Sequence, residues 1–380
     1  MALTQDELYR EIDDELSWSE RDLPERVRTK HVHRLHPYLG KFIPQLVEIL
    51  LDRYVERGAG PVLDPFGGSG TTLVQGLESG YDAVGVDVAA FNCQLMRVKT
   101  ARYDVAALDA EVRDVLKRLD GLDTSKARVR DLPAWLPPYA RAWYAPAAAA
   151  ELAFFRDAAR DYEHRELLEV VLTRAARSAR RTTHFDLDFP RAPQVGEYWC
   201  HKHRRTCRPV ETARQFLSRY ATDTVTRVAA FAAARAGRCE AAVVHGDARE
   251  LQLAGPFAGV VTSPPYPGLI DYHEQHRYAY ELLGLDDRRA LELGAAERGT
   301  SRAAIAAYAD GIVAVLSAVA PALAPGAPVV IVVDDKRELY PSILDRAGLE
   351  LVERYRRHVN RRTGRRSGEF FEDVLVARAA

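Results

Sequence analysis

The run Asp64-Pro65-Phe66-Gly67-Gly68-Ser69-Gly70-Thr71-Thr72 sets a carboxylate at the end of a short apolar stretch and follows it with small residues. Such a turn lets backbone approach a ligand closely. The Lys-Ser/Thr pair that would reach triphosphate oxygens is missing after Gly70, and the glycines are more compressed than a dinucleotide's pyrophosphate requires. Triphosphate hydrolysis and dinucleotide binding are therefore disfavoured. Asp87 closes the next apolar run, where an acidic side chain can accept hydrogen bonds from ribose hydroxyls. His245-Gly246-Asp247 repeats the theme, with Asp247 placed to bond the exocyclic amine of an adenine. A glycine turn, a ribose carboxylate and an adenine carboxylate at successive strand ends describe an adenosyl pocket.

A second motif, Thr262-Ser263-Pro264-Pro265-Tyr266, ends another apolar run. Consecutive prolines cannot extend a strand's hydrogen-bond ladder, and they hold the backbone rigid just outside the sheet. The Ser263 hydroxyl and the Pro264 carbonyl can then accept both hydrogens of an exocyclic amine, with Tyr266 as a stacking face. That combination suits the amine of a planar base held while its nitrogen attacks an electrophile.

The two motifs together resemble the amino-methyltransferases that modify cytosine or adenine in DNA. In that group an Asp-Pro-Phe-x-Gly-x-Gly-Thr-Thr motif, matched here at Asp64 to Thr72, binds S-adenosylmethionine, and a Ser/Asn/Asp-Pro-Pro-Tyr motif, matched at Ser263 to Tyr266, is catalytic. The segment His36 to Pro44, with Lys41 and Phe42, is similar to the motif that precedes the first strand and closes over the methionine end of the cofactor. The resemblance implies a doubly wound, Rossmann-like α/β methyltransferase sheet, S-adenosylmethionine as cofactor, and duplex DNA as substrate with the target base flipped out. It also implies a cofactor motif before an insert and a catalytic motif after it, the insert carrying target recognition. A serine heading the catalytic motif points to cytosine N4, with adenine N6 as the alternative. An RNA base, a protein glutamine, or binding of DNA without turnover are further alternatives. Restriction or defence-system subunits are candidate partners.

Secondary candidates surround these motifs. Tyr272 and His273 follow the catalytic turn closely enough to line a target pocket, and Arg362, Arg365 and Arg366 form a basic loop suited to phosphate. Arg354, Arg356, Arg357 and Arg361 lie in the same stretch, and Arg177, Arg180 and Arg181 form a second basic group. Cys200, His203 and Cys207 have the form Cys-x-x-His-x-x-x-Cys, with His201 and Cys239 as extra ligand candidates. Without a clear fourth partner, zinc is less favoured than a pair of buried thiols beside a basic loop, and no metal is expected.

The elements that must position these residues follow from the apolar pattern. PVLD, YDAVGVDV, AAVVHGD, FAGVVTSPPY, PVVIVVDD, LELVERY and DVLVARA read as strands, with a helix opening near Thr71. Residues 1–99 and 241–380 then hold the two halves of a sheet core, and residues 100–240 a mainly helical insert without sustained strand alternation. The 380 residues are 47% hydrophobic and 28% charged, with 53 basic against 54 acidic side chains, an ordinary globular balance. Four sparse cysteines and an acidic, non-apolar beginning point to a reducing, cytoplasmic setting. No apolar run is expected to approach the roughly 18 to 20 residues that cross a bilayer.

Overall fold

The computed structural model describes residues 14–18, 23–184, 190–252, 254–359 and 370–379. Its apolar runs become strands β1 (Val62–Asp64), β2 (Ala83–Asp87), β3 (Tyr198–Cys200), β4 (Arg205–Cys207), β5 (Ala241–His245), β6 (Gly259–Thr262), β7 (Val329–Val333), β8 (Leu349–Val359) and β9 (Phe370–Ala379). All but β3 and β4 join one seven-stranded sheet in the order β5-β2-β1-β6-β7-β9-β8. The first five of these strands run parallel, while β9 is antiparallel to both β7 and β8. The chain lays β2 and β5 on one side of β1 and then crosses to place β6 and β7 on the other. Such a reversal opens a crevice at the carboxyl ends of the two strands flanking it. Here those ends are Asp64 on β1 and Thr262 on β6.

Helices cover both faces, as a parallel sheet requires. On one face α1 (Pro44–Tyr54) buries Leu46, Val47, Leu50 and Leu51 against Val261, Val330, Val332 and Val376. The glycine turn feeds α2 (Thr71–Ser79), and β2 feeds α3 (Ala90–Thr100). In the middle of the chain lie α4 (Val105–Asp120), α5 (Pro146–Ala159), α6 (Arg165–Ala179) and α7 (Arg214–Ala234). On the opposite face α8 (Arg302–Val319) packs Ile312, Val315, Leu316 and Val319 on Val329, Ile331 and Val333. Alternate residues of β7 thus serve the two faces.

One expectation changes. The segment Arg302–Ala322 is long and apolar enough by composition to cross a membrane, which its interspersed arginine, tyrosine and aspartate conceal in the sequence. Its apolar side is spent on the sheet, so it is a core helix. Residues 100–240, expected as a mainly helical insert, are largely helical. They contain the β3–β4 hairpin, with Tyr198 opposite Cys207 and Cys200 opposite Arg205. The helices of that segment are built into the core: Leu108, Val115, Leu152, Leu168 and Leu217 share one cluster with Leu77 of α2 and Phe91, Leu95 and Val98 of α3.

Candidate active site at the strand switch point

A cavity enclosing roughly 810 Å³ of empty space opens at the carboxyl ends of β1, β2, β5 and β6. Pro65 to Ser69 form its floor with Thr71, Asp87 and Asp247 stand in its wall, Ser263 and Pro265 close one side, and Tyr38, Lys41, Phe42 and Tyr272 cover it.

The glycines of this turn have separate reasons, and Gly70, expected as a cofactor contact, does not itself line the cavity. Gly70 takes a left-handed φ of 79° to start α2, and a Cβ there would sit 3.0 Å from Met96 Cγ. Gly67 has no room for a side chain, since a Cβ would lie 2.4 Å from Met96 Sδ, and its N–H donates to the Val86 carbonyl at 2.9 Å. Beneath the turn the buried Lys99 ammonium donates to the Ser69 carbonyl at 2.6 Å, and burial drives its pKa well below the ordinary lysine value. Ser69 Oγ and Asn92 Oδ1 are buried in the cavity wall with no protein partner. Buried polar atoms are costly unless paired, so two orphans facing one cavity fit a polar ligand.

Asp87 accepts from the backbone N–H groups of Gly68 and Ala89, each at 2.8 Å, and from Asn92 Nδ2 at 3.1 Å. A carboxylate has about four lone-pair positions, so room remains for a further donor. Burial lifts its pKa to about 6. Lys41 donates to the His33 carbonyl at 2.8 Å, and burial, with Arg28 and Arg34 nearby, lowers its pKa to about 8. Asp247 is partly covered, which raises its pKa, but chelation by Arg249 brings the net value below the usual carboxylate range.

Asp64 does not reach the cavity. Its carboxylate is buried and accepts from the Thr262 hydroxyl at 2.6 Å and from Phe66 N at 3.1 Å, while burial lifts its pKa to about 6. Thr72 is also buried and donates to the Val261 carbonyl at 3.0 Å. Expected as cofactor contacts, Asp64 and Thr72 instead tie the glycine turn to β6 and so to the proline turn, 198 residues apart in the Asp64–Thr262 bond.

The proline turn stands between two cavities. Ser263 and Pro265 line the first, whereas Tyr266 faces a second of roughly 760 Å³, with Pro267, Tyr308, Asp334, Asp335 and Tyr340. Tyr266 donates to Glu372 on β9 at 3.1 Å, and burial raises its pKa well above the ordinary tyrosine value. Pro264 is buried within the turn.

Tyr272 and His273 depart from the expected role at the target. Tyr272 lines the first cavity and stacks on Tyr38, with ring centroids 5.3 Å apart. His273 is fully buried, its Nδ1 against Glu292 Oε1 and its Nε2 accepting from Arg288 N at 3.2 Å. Enclosed in this way, it holds the loop bearing Glu292 and has no surface to offer DNA. Arg362, Arg365 and Arg366, like Arg361, lie outside the described residues. The neighbouring arginines are engaged internally: Arg354 with Glu338 and Asp373, Arg356 with Asp373, and the buried Arg357 with Glu372. Arg180 is buried and stacks over Tyr278. Tyr38, Asn92, Lys99, Thr262 and Glu292 were not singled out from sequence. Tyr38 lies within the quoted His36 to Pro44 segment, and Lys99 stands out as the charged residue ending an apolar helix face.

A doubly wound sheet with this pocket at its switch point and a rigid proline turn beside it defines a Rossmann-like methyltransferase. The chain belongs to the type II methyltransferases. It is 34% identical to type II methyltransferase M.MjaII of Methanocaldococcus jannaschii over a 433-residue alignment that covers 93% of this chain and 81% of that protein. A shorter match, 34% identical over 85 residues, covers 22% of this chain and 19% of type II methyltransferase M.MvaI of Kocuria varians. Among solved structures, TrmN from Thermus thermophilus is 13% identical, with a TM-score of 0.36, the match covering 94% of this chain and 55% of that one. No protein-family model matches the chain.

Proposed function

We propose that this chain is an S-adenosylmethionine-dependent DNA methyltransferase acting on the exocyclic amine of cytosine, at N4, in duplex DNA. The observation that carries this reading is the Ser263-to-Tyr266 turn as the wall common to two cavities. One cavity has the acidic, orphan-lined surface that suits an adenosyl group, and the other presents a tyrosine face of the kind on which a flipped base stacks.

In the first cavity Asp87 would hold the ribose, Asp247 the adenine amine, and Lys41, Phe42 and Tyr38 the methionine end, over the backbone of Pro65 to Gly68. When bound there, S-adenosylmethionine supplies an electrophilic methyl group on a sulfonium. Ser263 Oγ and the Pro264 carbonyl accept the two hydrogens of the target amine and so aim its nitrogen lone pair at the first cavity. Tyr266 stacks on the base, and its bond to Glu372 keeps the ring fixed. Closure by Tyr38 and Tyr272 keeps water from the reacting atoms, so the rate comes from alignment. The nitrogen would gain the methyl as the sulfonium–methyl bond breaks to leave a neutral thioether, and the amine's extra proton would pass by way of Ser263 Oγ to solvent when the site reopens. The helices of residues 100–240 and the basic stretch with Arg362, Arg365 and Arg366 supply target recognition and phosphate contacts. We place the enzyme in restriction-modification, with a cognate nuclease or defence-system subunit as candidate partner. The four cysteines form no disulfide with one another, in keeping with a cytoplasmic setting.

The test is transfer of labelled methyl to duplex DNA, RNA and protein in parallel, followed by nucleoside mass spectrometry. N4-methylcytosine in DNA is the expected product. N6-methyladenine would overturn the base assignment alone, and label confined to RNA or protein would overturn DNA as substrate. Ser263→Ala should lower turnover by about a hundredfold, the scale of a misaligned reacting pair, while cofactor binding persists.

A further inference from the structure

Far along the chain from both cavities, the fold gathers four side chains that the methyl-transfer reading does not use. His184, Cys200, His203 and Cys207 place one ligand atom each within 4.8 Å of all the others. Cys200 Sγ lies 3.6 Å from both His184 Nδ1 and His203 Nδ1, and Cys207 Sγ lies 3.6 Å from His203 Nδ1. Zinc bonds of about 2.3 Å to sulfur and about 2.0 Å to nitrogen, opened to a tetrahedral angle, separate the two ligand atoms by about 3.5 Å. The cluster has the spacing of a coordination shell.

The local architecture needs such a clasp. Cys200 ends β3, His203 sits in the turn and Cys207 ends β4, so three ligands embrace a hairpin whose strands are three residues each. A two-stranded hairpin of that length does not hold itself together in water. It has no ladder to the main sheet, and neither thiol belongs to a hydrophobic cluster of the core, although Cys200 is 2% and Cys207 7% exposed. Trp199, the large apolar side chain next to Cys200, is 59% exposed. Apolar burial therefore does not account for the hairpin, and both thiols are free of disulfide bonds. His184, expected in no ligand role from sequence, comes from sixteen residues upstream of Cys200. Its ring lies 4.6 Å from that of His203, centroid to centroid. Tyr198 Oη is 2.9 Å from His184 Nδ1 and also accepts from His184 N at 3.0 Å.

We infer that His184, Cys200, His203 and Cys207 bind a structural zinc ion that closes the β3–β4 hairpin onto the segment before it. Four protein ligands leave no open position, so the ion is structural and takes no part in methyl transfer. Metal binding takes the Nδ1 lone pair of His184 and leaves Tyr198 Oη as acceptor of the His184 N–H. The ion orients an exposed hairpin face that carries Trp199, Lys202, Arg204 and Arg205. This assignment replaces the buried-thiol reading expected from the Cys-x-x-His-x-x-x-Cys spacing, which lacked its fourth ligand.

Elemental analysis of the purified full chain tests it without reference to methyl transfer. One zinc per chain is expected, lost in Cys200→Ser and in Cys207→Ser. Should those variants fold poorly, the wild-type chain stripped by chelator should take up one cobalt(II) with the visible absorption of a tetrahedral thiolate site, and two thiols masked in the metal-loaded protein should then become reactive in the stripped one. A wild-type chain that neither carries zinc nor binds cobalt, or a serine variant that keeps its metal, would overturn the assignment. Because these readouts are metal content and thiol reactivity, they stand whether or not DNA proves to be the substrate.

Discussion

Asp87 shows how much a single carboxylate is asked to do. Three protein donors already organise it, and burial raises its pKa to about 6. Because the folded value lies above the ordinary 3.8, the fold favours the protonated acid. Asp87 therefore contributes stability that is fully present below the ordinary carboxylate range and lost as pH rises through about 6. Ligand binding runs the other way, since a ribose hydroxyl donates best to the ionised form. Affinity for S-adenosylhomocysteine, measured by calorimetry, should weaken by up to about tenfold per pH unit as pH falls below the Asp87 value. In Asp87→Asn, which cannot ionise, that slope should vanish; a slope unchanged in the variant would remove Asp87 from ribose binding.

Between elements, the bond from Thr262 on β6 to Asp64 on β1 joins the glycine turn to the proline turn. Replacing Thr262 by valine keeps the shape and leaves a buried carboxylate short of one donor, at a cost of about 1 to 3 kcal/mol. Thermal melts should show Thr262→Val below wild type near neutral pH, with the gap narrowing below about 6, where Asp64 is protonated in the fold. An equal gap at both pH values would mean that only packing was lost. The seven strands of the sheet, the start of α2 at Thr71 and both turns were legible in the sequence, because apolar runs bounded by glycine and proline report local backbone choices. What was illegible depends on distance along the chain. Asp64 reads as a ligand contact until Thr262 is seen above it, and His273 reads as a base contact until Glu292 closes over it. The hairpin strands are too short to show alternation, and the Cys-x-x-His spacing is silent about His184.

At the scale of the molecule, a net charge of -1 conceals a division of labour among the arginines. Those at 354, 356 and 357 on β8 are paired with carboxylates of the same sheet region, so they strengthen the fold and have little charge left for a polyanion. The proposed phosphate contacts therefore rest not on these three but on Arg362, Arg365 and Arg366. Reversing those three charges should weaken DNA binding and flatten its dependence on salt by about 0.9 log unit per lost phosphate contact. Retention of the wild-type salt slope in a fluorescence-anisotropy titration would move the phosphate contacts elsewhere.

The position of β9 carries one more consequence. It lies between β7 and β8, and every backbone bond that β8 makes within the sheet goes to it. During synthesis, β8 therefore waits without a partner until Phe370–Ala379 have left the ribosome tunnel, and β7 shows the nascent chain an open edge over the same interval. Such an edge is a template for wrong pairing. Assembly of this side of the sheet thus waits for β9, and the speed at which the ribosome delivers that strand sets how long the edge stays exposed.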